Sequence, residues 1–199
     1  MKKKQLLCSL LFTSLALFIP ANTLVAKNVC DTIALKHDSM TVGNPILPGF
    51  HADPEILYSN KTGKYYIYST TDGIPGWGGY KYYVYSSADL KTWKNEGVAL
   101  DASTDQISWA NGNLWAPAAI EVKQKNGSYK YYLYFSARPN DNGRKQMGVA
   151  VSDSPTGPFV DLGKPLLAKN HPGCHGQLID VDVFIDPVSN KPYLYWGNS

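Results

Sequence analysis

Short alternating segments dominated by tyrosine recur along the chain: Tyr65-Tyr66-Ile67-Tyr68, Tyr131-Tyr132-Leu133-Tyr134 and Tyr193-Leu194-Tyr195. From Tyr66 to Tyr132 is 66 residues and from Tyr132 to Tyr193 is 61. Each segment follows a turn-rich stretch, Asn60-Lys61-Thr62-Gly63-Lys64, Lys125-Asn126-Gly127-Ser128 and Pro187-Val188-Ser189-Asn190-Lys191-Pro192, so each reads as the second strand of a hairpin. The latter part of the unit repeats as well: Val84 to Leu90 leads to Trp93, and Val149 to Pro155 leads to Phe159, with Trp93 and Phe159 again 66 apart. Four alternating strands in a unit of about 65 residues, without helical periodicity, predict an all-β chain built as a β-propeller. A two-sheet sandwich also has many short strands, but it has no reason to repeat its sequence at a fixed period.

Composition supports a packed domain: 44% of the 199 residues are hydrophobic and 13% aromatic, too many for a disordered segment. The formal charge of +3 comes from Lys2, Lys3 and Lys4, which precede an apolar run from about Leu6 to Pro20; without them 16 basic residues face 16 acidic ones. A balanced chain without a basic cluster argues against nucleic acid or an anionic membrane as partner. The basic start, the apolar run and the small Ala26 read as a signal peptide over residues 1–26. The run is too short for a bilayer span, so the expected location is secreted or periplasmic, with no membrane attachment after cleavage. Residues 27–43 read as a polar lead-in. Cys30 and Cys174 would remain in a compartment that permits a disulfide, and their pairing stays open. His37, His51, His171 and His175 are scattered without zinc-ligand spacing.

Counted from the tyrosine strands, Asp53 lies 13 residues before Tyr66 and Asp180 lies 13 before Tyr193, which puts a carboxylate at the head of the first strand in the first and third units. The matching place in the second unit falls near Ala118 and Ala119, just after Trp115-Ala116-Pro117. First strands line the axis of a propeller, so both carboxylates would point into one funnel. Carboxylates for proton transfer and a flat ring against the apolar face of a sugar suit a glycan site. Trp115 and Trp77 are candidate sugar platforms, and Phe50 and His51, which flank Asp53, are candidates to line the substrate pocket. Asp182 competes with Asp180, whereas Asp186 followed by Pro187 reads as a turn starter.

The stretch Asn44-Pro45-Ile46-Leu47-Pro48-Gly49-Phe50-His51-Ala52-Asp53-Pro54-Glu55-Ile56, the motif Leu114-Trp115-Ala116-Pro117 and the run Ile179 to Asp186 together resemble glycoside hydrolase family 43. The resemblance covers residues 44–199. It implies a five-bladed propeller, of which two and a half blades are present here. It also implies inverting hydrolysis of arabinose- or xylose-containing glycans, as by arabinofuranosidases, xylosidases and arabinanases. On this resemblance Asp53 is the general base and Asp180 the second acid, which orients the general acid and raises its pKa. Inversion leaves room for a water, placing base and acid carboxyls about 6.5 to 9.5 Å apart. The family's general acid is a Glu in a later blade, and the stretch from Asp180 to Ser199 holds no Glu, so the chain reads as the front part of a longer enzyme. Ala118 stands where the family often has an acidic residue, and Val181 where it often has Pro. The chemistry requires no cofactor and the residues suggest no metal site, although a structural calcium at the axis stays open. A non-catalytic sugar-binding propeller and a retaining glycosidase are the alternatives; a strand-leading Glu in a fourth blade separates the first, and product stereochemistry the second.

Overall fold

The computed structural model describes residues 45–198, so residues 1–26, the lead-in and Cys30 lie outside the described part. Ten strands follow one another: β1 (His51–Ser59), β2 (Lys64–Thr71), β3 (Lys81–Ser87), β4 (Lys94–Asp101), β5 (Trp115–Lys123), β6 (Tyr129–Ala137), β7 (Gln146–Ser152), β8 (Val160–Asp161), β9 (Leu178–Ile185) and β10 (Pro192–Asn198). They form two four-stranded sheets, β1-β2-β3-β4 and β5-β6-β7-β8, and a two-stranded sheet, β9-β10. Every pairing is antiparallel between strands consecutive in sequence, which is the meander of a propeller blade. The tyrosine segments are β2, β6 and β10, and Trp93 and Phe159 each stand one residue ahead of a fourth strand.

The sheets stack face to face through their first strands, β1 against β5 and β5 against β9. Side chains alternate across each strand, and a blade inside a propeller is covered on both faces. Tyr66 and Tyr68 of β2, with Tyr82 and Val84 of β3, face blade two and pack on Tyr131, Leu133, Phe135 and Ala150. The intervening Ile67 points the other way, with Leu47 and Tyr85. On the far side of blade two, Ala118 and Met147 meet Leu178, Val181 and the buried Cys174 of blade three. Cys174 is a free thiol among the described residues. The hydroxyls buried with the tyrosines are spent on blade-to-blade bonds: Tyr68 donates to the Pro155 carbonyl at 2.5 Å and Tyr82 to the Trp115 carbonyl at 2.9 Å. Tyrosine therefore fills the space between blades and also ties one blade to the next.

Candidate active site

All three first strands carry the same irregularity near their heads. In β1 the register slips between Ala52, opposite Thr70, and Glu55, opposite Tyr68, leaving Asp53 and Pro54 in a bulge. In β5 it slips between Trp115, opposite Ser136, and Ala118, opposite Tyr134, leaving Ala116 and Pro117. In β9 Ile179 is opposite Gly197 and Asp182 opposite Tyr195, leaving Asp180 and Val181. The first bulged residue is left-handed in every case, with φ of 46° at Asp53, 41° at Ala116 and 56° at Asp180. Asp tolerates that region better than most residues, whereas Ala has no side-chain bond to offset it. A conformation of this cost repeated at one register position in three blades marks a place that the fold holds for a purpose.

The equivalence corrects the expected position in blade two. Ala116 matches Asp53 and Asp180, while Ala118 matches Glu55 and Asp182. From Leu57 to its partner Tyr66 is 9 residues, and from Phe184 to Tyr193 is 9, but from Ile120 to Tyr132 is 12, so counting back from the tyrosines stops three residues short of the bulge. The same register distinguishes the two competing aspartates: Asp180 shares the place of Asp53. Asp182 instead takes the place of Glu55, and its carboxylate accepts from the Val183 N–H at 2.7 Å. Asp186 opens the β9–β10 turn as expected, accepting from the Val188 N–H at 2.9 Å and from the Ser189 hydroxyl at 2.5 Å.

Asp53 and Asp180 are both exposed at the strand heads. Asp53 is oriented by a relay across two blades: the Ala116 N–H donates to Thr70 Oγ1 at 2.9 Å, and that hydroxyl donates to Asp53 Oδ2 at 3.1 Å. Gly197, opposite the third bulge, leaves room for the other carboxylate; a Cβ there would stand 3.3 Å from Asp180 Oδ2. Glu55 turns between the blades and accepts from the Ala119 N–H at 3.4 Å. Burial pushes its carboxyl above the usual range, the Ala119 bond opposes that, and the negative Asp182 adds to the rise.

The aromatic candidates separate. Trp77, on a single 3₁₀ turn (Pro75–Trp77) in the β2–β3 loop, is 82% exposed, while its backbone carbonyl accepts from Asn113 Nδ2 at 2.7 Å and Trp115 Nε1 at 2.8 Å. Its ring is thus presented to solvent from a clamped backbone. Phe50 is 74% exposed beside Gly73, where a Cβ would stand 3.2 Å from its ring. Trp115 is half-buried with one ring face covered by Lys145, whose Nζ lies 3.5 Å from the ring centroid, so a sugar can stack only on the opposite face. His51 lines a hollow at the head of β1 and is engaged at both ring nitrogens. Its Nε2 donates to the Pro48 carbonyl at 2.9 Å, its Nδ1 is hydrogen-bonded to Ser69 Oγ at 3.0 Å, and the ring meets Tyr85 edge-on. With both nitrogens occupied, His51 is a fastening for the chain entering β1.

Thr70, Glu55 and Lys145 belong to this region and are not legible from sequence, because each acts on a partner far along the chain: Ala116, Ala119 and Trp115. Among the described residues no three His, Cys, Asp or Glu side chains converge as a metal site would need. One pocket-like hollow lies between blades two and three, lined by Glu121, Lys123 and Phe184, and another lies beside the head of β1, lined by Leu47, His51 and Pro54.

Comparison with known proteins agrees with this geometry. The model of the glycosyl hydrolases family 43 matches residues 42–199. An arabinoxylan arabinofuranohydrolase of Bacillus subtilis is 35% identical over 173 residues, 73% of this chain and 31% of the relative. A xylosidase/arabinosidase of Bacteroides ovatus is 35% identical over 164 residues, 76% of this chain and 45% of the relative. The crystal structure of a β-xylosidase/α-arabinofuranosidase from a compost microbial metagenome, in complex with xylotriose, superposes with a TM-score of 0.61 at 35% identity, covering 77% of this chain and 44% of that one. A family 43 enzyme of Xanthomonas citri complexed with xylose superposes with a TM-score of 0.61 at 33% identity, covering 78% and 43%. The chain spans less than half the length of each of these relatives. With the family model matching most of its length and its blades in register, the chain belongs to glycosyl hydrolase family 43.

Proposed function

We propose that the protein is an exported glycosidase that hydrolyses arabinose- or xylose-containing glycans with inversion. Asp53 acts as general base toward the attacking water, and Asp180 orients and tunes the general acid. The observation that carries this reading is the left-handed bulge repeated in three blades, occupied by a carboxylate in the first and third and by Ala116 in the second. A residue at the tip of such a bulge is aimed by the backbone and not by its rotamer alone, which suits a base that must meet a water at a defined angle. Thr70 donates to one oxygen of Asp53, and its other oxygen stands free for that water among the described residues. The relatives named for xylose and arabinose glycans support the substrate class. The chemistry calls for no cofactor.

The test uses an aryl glycoside of arabinofuranose or xylose, whose leaving group needs little protonation. Turnover by the chain should fall by about a hundredfold or more in Asp53→Asn. Proton NMR of the first product formed should show the inverted anomer. Unchanged turnover in Asp53→Asn overturns the base assignment, and a retained anomer overturns the mechanism.

A further inference from the structure

Two cations sit at the rim that carries Asp53 and Asp180, at the ends of one loop. Arg138 directly follows β6 and Lys145 directly precedes β7, so the β6–β7 loop holds both at the head of blade two, beside Trp115. Both are half-buried. The Lys145 ammonium rests on the Trp115 ring at 3.5 Å, and its backbone is pinned to blade three: its N–H donates to Gln177 Oε1 at 2.7 Å and its carbonyl accepts from the Leu178 N–H at 3.2 Å. Trp115 immediately precedes Ala116, whose N–H feeds the relay to Asp53, and Leu178 stands two residues before Asp180. Lys145 is therefore anchored between the two aspartate bulges.

Arg138 is held as firmly. Its Nε donates to Asn111 Oδ1 at 3.0 Å, and its guanidinium closes over Gly112, where a Cβ would lie 3.3 Å from the terminal nitrogen and 2.9 Å from the Tyr80 ring. Among the described residues neither cation makes an ion pair; the carboxylates that do pair are Asp101, Glu96, Asp153 and Asp141, with other lysines. Burial, and after it the positive Arg138, draw the Lys145 ammonium below its usual range. Two half-buried like charges held near one another without a counter-charge cost free energy in the empty protein, and an anion that enters between them recovers it.

The geometry points to an anion subsite formed by Lys145 and Arg138 at the rim of the sugar site, which takes the carboxylate of a uronic acid residue on the glycan. This rests on the glycan reading above and narrows it, from neutral arabinose or xylose chains to chains that also carry acidic side residues. The cation–π contact with Trp115 holds the ammonium in place but supplies no counter-charge for it or for Arg138.

Calorimetric titration of the full chain with a xylo-oligosaccharide bearing one glucuronic acid residue, and with the same backbone lacking it, tests this. At low ionic strength the acidic sugar should bind about tenfold more tightly. That preference should shrink as salt is added, collapse toward one in Lys145→Met, which keeps the stem over Trp115, and survive in Lys145→Arg. A preference near one in the native chain, or one that persists in Lys145→Met, overturns the subsite while binding of the neutral backbone leaves the glycan reading standing. Binding of free glucuronate that depends on Lys145, with neither oligosaccharide bound, upholds the subsite and overturns the glycan reading. Absence of binding by all three probes overturns both.

Discussion

Thr70 joins the two strand heads whose equivalence defines the site: it accepts from the Ala116 N–H of blade two and donates to Asp53 of blade one. It is buried, so neither bond is readily replaced by water. Valine has nearly the same shape but cannot accept, and it leaves the Ala116 N–H orphaned beside a strained φ of 41°. Thr70→Val should therefore lower stability by about 1–3 kcal/mol, read from the denaturant midpoint. It should also slow aryl glycoside hydrolysis, because Asp53 loses its only orienting donor among the described residues. A variant equal to the parent in both respects would show the relay to be incidental. The aspartates themselves are legible in sequence, since each follows the repeat and leads an apolar strand. Thr70 is not: it looks like one more β-branched residue in β2, and its meaning depends on Ala116, which is 46 residues away.

At the scale of strands and loops, the period, the meander and the tyrosine strands all follow from sequence, because alternation and turn residues act within a few positions. What counting could not place is the second bulge, since the β5–β6 hairpin is three residues longer than its counterparts and the strand heads, unlike the tyrosines, carry no shared side chain at Ala116. Close approaches are similarly hidden. Gly148 of β7 lies under the stacked Trp109 and Phe135 rings, and a Cβ there would come within 2.3 Å of Phe135 and 2.7 Å of Trp109. Gly148→Ala should thus destabilise the protein by about 1–3 kcal/mol, visible as a lower melting temperature; an unchanged melting point would mean that the pair moves aside freely. The β2–β3 loop predicts the opposite division of effects. The carbonyl of Trp77, not its ring, holds Asn113 and Trp115. Trp77→Ala should keep the melting temperature and weaken xylo-oligosaccharide binding by about fivefold in calorimetry. A loss of stability without a loss of affinity would make the ring a structural anchor instead.

The molecule as a whole is a stack of blades, and two glutamates at opposite ends of the first interface respond to pH in opposite senses. Glu121, at the end away from the bulges, receives the Ser59 hydroxyl and the N–H groups of Asn60 and Lys61, and neighbours the Tyr131 hydroxyl. Partial burial raises its carboxyl, but these bonds outweigh that and leave it below the ordinary 4.5. Its stabilising contribution is therefore present above the unfolded value and is lost as pH falls through the lower folded one. Glu55, at the site end, is raised above 4.5 by burial and by Asp182. The folded chain binds its proton more tightly than the unfolded chain does, so its favourable contribution is complete below the unfolded value and disappears as pH rises through the folded one. At neutral pH Glu121 thus fastens blade one to blade two, while Glu55 strains the same interface where the aspartates stand. Glu121→Gln should lower the melting temperature at neutral pH, with the deficit shrinking on acidification. Glu55→Gln keeps the acceptor for the Ala119 N–H and should raise the melting temperature at neutral pH, with the gain vanishing on acidification. Melting curves of both variants at pH 7 and pH 4 decide the matter: differences of the same sign, or differences that do not change with pH, would refute a charge-based opposition between the two ends. Strain located at the bulges and relieved at the far end agrees with a site whose carboxylates are held apart from neutralising partners, as a proton-transfer site requires.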